Sequence, residues 1–185
     1  MARIRLIRHG EAAAAWGGGD ADPGLSEAGR TQAQAAASRL ALDPPRRLLT
    51  SPLRRCRETA AASAERLGLE PVLAPEVAEV PTPPGLAPDA RQGWLRAVFA
   101  GTWAEAEGGD YLAWRDGVAA FVAGLEDGSA VFTHFVAVNA AVSAAMDDPR
   151  TVVFRPGNAS VTTLESEGGR LRVVELGAEA ESRVL

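Results

Sequence analysis

The chain contains no lysine, and all 19 of its basic residues are arginines. This excludes any mechanism that needs an amine side chain, such as a Schiff base or the phosphate-binding lysine of a P-loop. The single cysteine excludes an internal disulfide. One cysteine and two histidines also fall short of the usual ligand set of a structural zinc site. We therefore expect neither a metal nor another cofactor.

Long hydrophobic runs and an excess of positive charge are also missing. No apolar stretch approaches the ~20 residues that cross a bilayer, and Met1-Ala2-Arg3 leads directly into the first predicted strand, without a signal peptide. The net charge is −5 and no basic patch stands out, which argues against a nucleic-acid partner. We expect a soluble, cytoplasmic protein that binds neither membrane nor nucleic acid. The sequence does not indicate its oligomeric state.

Strands and helices alternate along most of the chain. Apolar runs predict strands at 4–7, at 47–50, ending at Thr133, and near 151–155, 160–165 and 170–176. Helices are predicted from Ser26 to about Leu42, from the cap Ser51 and Pro52 onward, and over 94–103, 111–125 and 136–146. Alternation favours an α/β fold, a three-layer α/β/α sandwich on a mostly parallel sheet. At 185 residues we expect one domain over 1–185.

Three segments are predicted to connect these elements. Residues 12–24 are rich in alanine and glycine and are typical of a loop. Residues 71–90 hold six prolines and favour an extended connection. Residues 81–110 are a candidate lid inserted over the sheet edge.

The only two histidines, His9 and His134, each come directly after a predicted strand. The carboxyl ends of parallel strands lie at one edge of a sheet, where α/β proteins bind ligands. Arg8 and the helix start at Ser51 to Arg55 reach the same edge. Guanidinium groups and helix N-termini favour phosphate, and an imidazole can attack phosphorus and hold the phosphoryl group. These residues predict a phosphate site.

Four motifs stand in a fixed order along nearly the whole chain. They are Arg8-His9-Gly10-Glu11, Ser51-Pro52-Leu53-Arg54-Arg55-Cys56-Arg57-Glu58-Thr59-Ala60, the later strand that ends before His134, and Asn158-Ala159-Ser160. This series resembles the histidine phosphatase (phosphoglycerate mutase-like) superfamily. The resemblance makes His9 the phosphorylated nucleophile. It implies that the catalytic and substrate-binding residues around the transferring group are Arg8, Gly10, Arg55, His134 and Phe135.

The proton donor that the resemblance implies is an acidic residue after the second helix. Glu79 in Val77-Ala78-Glu79 fits this position best, and Glu76 is its competitor. In an extended segment, alternation places these two carboxyl groups on opposite faces, so that only one points inward. Among the basic residues of the second helix, Arg54 competes with Arg55 for the site.

Two positions depart from the family pattern. Ala12 to Ala15 replace the Ser or Thr and the Asn that usually follow the tetrad, and Phe135 replaces the usual Gly after the second histidine. We expect a metal-independent phosphomonoesterase that acts on a small phosphate ester through a phosphohistidine. A phosphoglycerate mutase-type isomerase and a weakly catalytic phosphate-binding regulatory protein are the alternatives.

Overall fold

A computed structural model of the protein describes residues 1–13 and 22–180, and most of the predicted loop over 12–24, including Ala14 and Ala15, lies outside them. The strands are β1 (Ala2–Arg8), β2 (Arg47–Thr50), β3 (Pro71–Leu73), β4 (Ser129–Thr133), β5 (Val161–Glu167) and β6 (Arg170–Glu175). The helices are α1 (Glu27–Leu40), α2 (Arg54–Leu67), α3 (Arg91–Ala100), α4 (Tyr111–Ala123) and α5 (Phe135–Met146).

The strands form one six-stranded sheet in the order β3-β2-β4-β1-β5-β6. The first four are parallel, whereas β5 and β6 pair antiparallel at one edge. This arrangement confirms the mostly parallel sheet. Because Arg8 of β1 pairs with Thr133 of β4, the next residues, His9 and His134, leave the sheet side by side.

Helices cover both faces of the sheet, as the sandwich prediction requires. Alternation along β1 turns Ile4 and Leu6 toward α3, α4 and α5, and Ile7 toward α1 and α2. Nine of the twelve residues of α5 are buried, so this helix forms the centre of the larger core. Leu95 of α3 belongs to the same core, so part of the segment 81–110 is firmly packed.

Residues 151–155, which we predicted as a strand, do not form one. The side chain of Asn139 takes the place of a neighbouring strand here, since its Oδ1 accepts hydrogen bonds from the backbone of Val153 (2.9 Å) and Phe154 (3.3 Å). Thr151 Oγ1 donates to the Val98 carbonyl on α3. Backbone donors that are satisfied by a side chain need no β ladder. The proline-rich segment 71–90 also differs from the predicted extended connection, because its first three residues form the short strand β3.

The second helix begins later than we predicted, at Arg54, and Ser51 does not cap it. The Ser51 hydroxyl lies 2.8 Å from His134 Nε2. The carboxylate of Asp22 accepts the Arg54 backbone N–H at 2.9 and 3.0 Å and caps the helix from another part of the chain. Such a cap is invisible to a local sequence pattern.

The first helix begins as we predicted, because Ser26 Oγ accepts the Gly29 backbone N–H at 3.0 Å. It ends at Leu40, two residues before the predicted end. Over residues 1–13 and 22–180, no helix combines the length and the apolar character needed to cross a bilayer.

Candidate active site

His9 follows β1 and is almost fully buried. Its Nε2 lies 3.2 Å from Arg55 Nε, and its Nδ1 lies 2.7 Å from the Gly10 carbonyl oxygen. Because a guanidinium only donates, Nε2 must accept. Nδ1 therefore carries the proton and donates it to Gly10. This fixes the ring so that its lone pair is on Nε2 beside Arg55.

His134 lies opposite His9, with the ring centroids 5.3 Å apart. Arg55 Nη2 lies 3.1 Å from His134 Nδ1, so the same guanidinium reaches both imidazoles. By the same reasoning Nδ1 accepts, and the Nε2 proton is donated to Ser51 Oγ at 2.8 Å. Arg55 thus determines the tautomer of both rings.

Both imidazoles are held in the neutral form. Burial lowers the pKa of His9 well below its ordinary value, and the charges of Arg55 and Arg8 lower it further. Burial likewise lowers the pKa of His134, followed by the influence of His9, Arg55 and Arg8. Only a neutral imidazole has a lone pair for attack on an electrophile. The ring of His9 is therefore uncharged at neutral pH, and its Nε2 has the lone pair that a nucleophile needs.

Arg8, the last residue of β1, is also buried. Its Nη1 donates to the Pro156 carbonyl at 2.8 Å, and its guanidinium carbon lies 5.4 Å from the centre of the Phe135 ring. Burial lowers the pKa of Arg8 to about 10, against the opposite influence of the Glu79 carboxyl, so the group stays charged at neutral pH. Phe135 is only 1% exposed and packs against Phe99. It contacts the site through Arg8.

Arg55, and not Arg54, occupies the site. Arg55 is 8% exposed, whereas the Arg54 side chain is 52% exposed and pairs with Glu58 four residues later. The helical turn separates these neighbours, because consecutive residues on a helix point in directions about 100° apart.

Glu79 is buried, with 9% exposure, whereas Glu76 is exposed on a 3-10 turn over Pro75–Val77. We expected strand alternation to separate these two carboxyls. The turn separates them instead. Burial raises the pKa of Glu79, opposed by the Val80 backbone N–H and by Arg55 and Arg8. The Thr133 hydroxyl, at the end of β4, donates to the Val77 carbonyl at 2.6 Å and holds this segment against the sheet.

Two residues of the quoted motifs, Thr59 and Asn158, help to hold the site in place, although no role was predicted for either of them. Thr59 Oγ1 accepts the Gly10 backbone N–H at 3.0 Å and donates to the Arg55 carbonyl at 2.7 Å. Asn158 Nδ2 donates to the His9 carbonyl at 3.1 Å. Their presence in the motifs was the only sequence signal, since neither pattern nor composition reveals a tertiary hydrogen bond.

The side chains described above bring positive charge and hydrogen-bond donors together around the two imidazoles. Two fixed guanidiniums, a neutral imidazole whose Nε2 lone pair accepts from Arg55, and a second imidazole suit a tetrahedral oxyanion. Arg8 Nε and Glu79 Oε2 are buried and have no hydrogen-bond partner among the residues that the structure describes. Within the same residues, no cluster of three or more His, Cys, Asp or Glu side chains is arranged to hold a metal ion.

The sequence and the fold are similar to those of known proteins. The sequence profile of the histidine phosphatase superfamily (branch 1) matches residues 4–179. The structure of a mycobacterial glucosyl-3-phosphoglycerate phosphatase is 30% identical, covers 97% of this chain and 100% of its own, and superimposes with a TM-score of 0.73. No curated protein sequence matches the chain.

A more distant structure has the same fold. The phosphoserine phosphatase of Entamoeba histolytica, solved with 3-phosphoglyceric acid, is 19% identical, with 96% of this chain and 98% of that chain covered and a TM-score of 0.76. The profile match extends over almost the entire chain and includes every residue of the site described above. The chain therefore belongs to the histidine phosphatase superfamily, branch 1, and is a phosphomonoesterase.

Proposed function

We propose that the protein hydrolyses a small phosphate ester without a metal, through a phosphohistidine on His9. The observation that carries this proposal is the position of Arg55, whose guanidinium joins the Nε2 of His9 to the Nδ1 of His134. A phosphoryl group at this place meets a nucleophile and three cationic or donor side chains together. Such groups stabilise charge as it grows in the transition state.

In the first half-reaction, His9 Nε2 attacks phosphorus and the bond to the leaving oxygen breaks. Arg8, Arg55 and His134 bind the three non-bridging oxygens. Glu79 gives its proton to the leaving oxygen, which departs as an alcohol. The raised pKa of Glu79 supports this role, because the carboxyl keeps a proton to donate at higher pH.

In the second half-reaction, the ionised Glu79 takes a proton from a water molecule. The resulting hydroxide attacks phosphorus, the bond from His9 Nε2 to phosphorus breaks, and inorganic phosphate leaves. Glu79 ends protonated and His9 neutral, so the cycle closes without another reactant.

The remaining predicted residues act at the borders of this site. Gly10 keeps the loop after β1 close to α1, since a Cβ at this position would lie 2.5 Å from the Gly29 carbonyl oxygen. Phe135 acts by holding Arg8. The segment 81–110 begins two residues after Glu79, and its role as a lid stays a prediction. The cytoplasmic location and the single-domain organisation over 1–185 stay predictions.

We propose that the substrate is a small phosphate ester. The similar proteins are named as phosphatases of such esters, which supports this proposal. The mycobacterial relative is a phosphatase of glucosyl-3-phosphoglycerate. This name does not determine the substrate of the present chain, because phosphatases of one fold differ in the residues that contact the leaving group.

The proposal is tested by the hydrolysis of p-nitrophenyl phosphate. We expect turnover that vanadate inhibits and EDTA leaves unchanged, and a loss of about 10⁴-fold or more in His9→Ala, because the nucleophile is removed. Arg54→Ala, which changes an exposed side chain, is the matched control and should stay within a few-fold of the wild type. Full activity in a folded His9→Ala protein would refute the mechanism.

The same enzyme preparation separates the alternatives. Rapid quenching with labelled substrate should trap an acid-labile phosphoenzyme that water hydrolyses quickly. A long-lived phosphoenzyme that needs a bisphosphate primer would indicate an isomerase. Tight phosphate binding without hydrolysis of any ester in a broad panel would indicate a regulatory protein.

A further inference from the structure

Ser51 is a fully buried serine at the end of β2 whose hydroxyl contacts His134. Its Oγ lies 2.8 Å from Nε2, the ring nitrogen that does not meet Arg55. The Leu53 backbone N–H donates to the same oxygen at 3.3 Å. The hydroxyl was expected to cap α2, and its place beside a catalytic imidazole needs another explanation.

The tautomer of His134 in this structure is the wrong one for holding a phosphoryl group. Nδ1 accepts from Arg55, so the proton is on Nε2. In the proposed reaction, however, the phosphoryl group lies beside Arg55 and His9, on the Nδ1 side of the ring. Phosphoryl oxygens are acceptors, and an unprotonated Nδ1 would repel them. His134 can hold the group only when Nδ1 carries the proton.

We propose that Ser51 is the positioning residue that lets His134 change tautomer when phosphate binds. This inference rests on the proposed function. A serine hydroxyl both accepts and donates. It accepts a hydrogen bond from Nε2–H in the structure described here, and after rotation its O–H donates a hydrogen bond to an unprotonated Nε2. In the change of tautomer Nε2 gives its proton to water and Nδ1 takes a proton from water, so the charge of the ring is unchanged and the serine keeps its own proton.

No other hydroxyl among the described residues bonds to the His134 ring. Cys56 Sγ lies 3.3 Å from Nε2, but it also donates to the Thr133 carbonyl at 3.4 Å, and thiols are weak donors. The charged or titratable groups that act on the ring are His9, Arg55 and Arg8. None of them contacts Nε2. Ser51 is therefore the group that can stabilise either tautomer.

Nitrogen-15 NMR of the wild-type chain without a histidine tag tests this directly. The sequence has only two histidines, so the spectrum contains only two imidazoles. Without phosphate, we expect the proton of His134 on Nε2. With saturating inorganic phosphate, we expect it on Nδ1. A ring that keeps its proton on Nε2, or that is protonated on both nitrogens, would overturn the proposal whether or not any variant folds.

Variants add a kinetic measurement to the spectroscopic one. In Ser51→Ala, the change of tautomer should be lost and kcat for p-nitrophenyl phosphate should fall about tenfold or more. Ser51→Thr keeps the hydroxyl and should restore the phosphate-bound tautomer and most of kcat. Ser63→Ala is the matched control, since Ser63 is equally buried and its hydroxyl has no partner among the described residues. It should behave as the wild type.

The result also distinguishes this inference from the proposed function. A Ser51→Ala protein that keeps the wild-type kcat and tautomer change would overturn the role of Ser51, and the phosphatase mechanism would stand. A wild-type protein that neither binds phosphate nor hydrolyses p-nitrophenyl phosphate would overturn both.

Discussion

At the residue scale, one guanidinium organises the site. Arg55 donates from Nε to His9 and from Nη2 to His134, and it pairs loosely with Asp22 at 4.0 Å. Because arginine stays protonated in proteins, this arrangement keeps protons off the two ring nitrogens that Arg55 contacts as long as no phosphate is bound. The lone pair on His9 Nε2 thus results from geometry, and the burial of the ring adds to it.

Glu79→Gln tests the assignment of the proton donor. We expect kcat for an alkyl phosphate to fall about 10²- to 10⁴-fold, because an alkoxide needs a proton to leave. With p-nitrophenyl phosphate, the first half-reaction needs no proton, whereas the second still needs a base. Rapid mixing should therefore give a burst of nitrophenol equal to the enzyme concentration, followed by slow turnover.

The pH profile gives the control for this experiment. With the alkyl phosphate as substrate, kcat/KM of the wild type should fall at high pH as Glu79 ionises, and the raised pKa of Glu79 moves this limb toward neutral pH. Glu79→Gln should lack that limb. Glu76→Gln changes an exposed carboxyl on the neighbouring turn and should keep the wild-type profile. An unchanged burst-free time course in Glu79→Gln would assign the role to another group.

At the scale of elements, the backbone of the loop after β1 is in direct contact with the backbone at the start of α1. A Cβ on Gly29 would lie 2.1 Å from the Glu11 carbonyl oxygen. The Ser26 hydroxyl donates to Glu11 Oε1 at 2.7 Å and caps the helix at the same time. The glutamate of the tetrad therefore anchors the loop that carries His9, although it is not part of the site itself.

Gly29→Ala should disturb this contact, because the clash is with backbone that cannot rotate away. We expect a loss of roughly 1–3 kcal/mol in the free energy of unfolding and a reduced kcat/KM, since the loop moves with His9. Gly117→Ala on α4 is the matched control. Among the described residues, apart from the backbone of its own helix and its chain neighbours, no atom lies within 4 Å of a Cβ added at Gly117, so alanine should be neutral or stabilising by up to about 1 kcal/mol. Urea unfolding and p-nitrophenyl phosphate turnover measure both effects, and equal stability of the two variants would contradict the close approach.

At the scale of the whole molecule, a chain of net charge −5 buries a positively charged site. Arg8 and Arg55 enter the same buried region as the two histidines and Glu79. Burial is the largest influence on the pKa of His9, His134 and Glu79. Desolvation disfavours the charged form of each group, so the histidines lose protons and the carboxyl keeps one. Stability must therefore depend on pH in two opposing ways.

The histidines contribute stability above their unfolded pKa near 6.5, which is lost as the pH falls, because only the unfolded chain then binds the protons. Glu79 has the opposite sign: its contribution is present below its unfolded pKa near 4.5 and is lost as the pH rises through its raised folded pKa. The free energy of unfolding, measured with urea, should therefore decrease more steeply in Glu79→Gln than in the wild type as the pH falls from 7 to 5.5. Below pH 6.5 the limiting slope is roughly 1.4 kcal/mol per pH unit for each histidine. A free energy of unfolding that stays constant in Glu79→Gln over this range would contradict the buried neutral imidazoles.

Much of this protein is determined by its sequence alone. The short apolar runs and their alternation with helical patterns predict the layered α/β fold. A strand or helix that buries one face shows this in its own sequence, as a regular spacing of apolar residues. The strand ends also locate His9 and His134, and the motif series identifies the family. Residues 151–155 are one exception, since the side chain of Asn139 accepts the backbone hydrogen bonds of that run, and the short strand β3 is another.

Only the tertiary structure decided which groups meet and in which protonation state. The cap of α2 comes from Asp22, more than thirty residues earlier, and this frees Ser51 for His134. Glu79 is buried and Glu76 is exposed because of a turn that the pattern did not reveal. Hydrogen bonds between residues far apart in the sequence, and the burial of a side chain away from water, both depend on which groups are neighbours in three dimensions. For this reason the tautomers, the pKa shifts and the burial of Glu79 beside an exposed Glu76 follow from the fold and not from the order of residues.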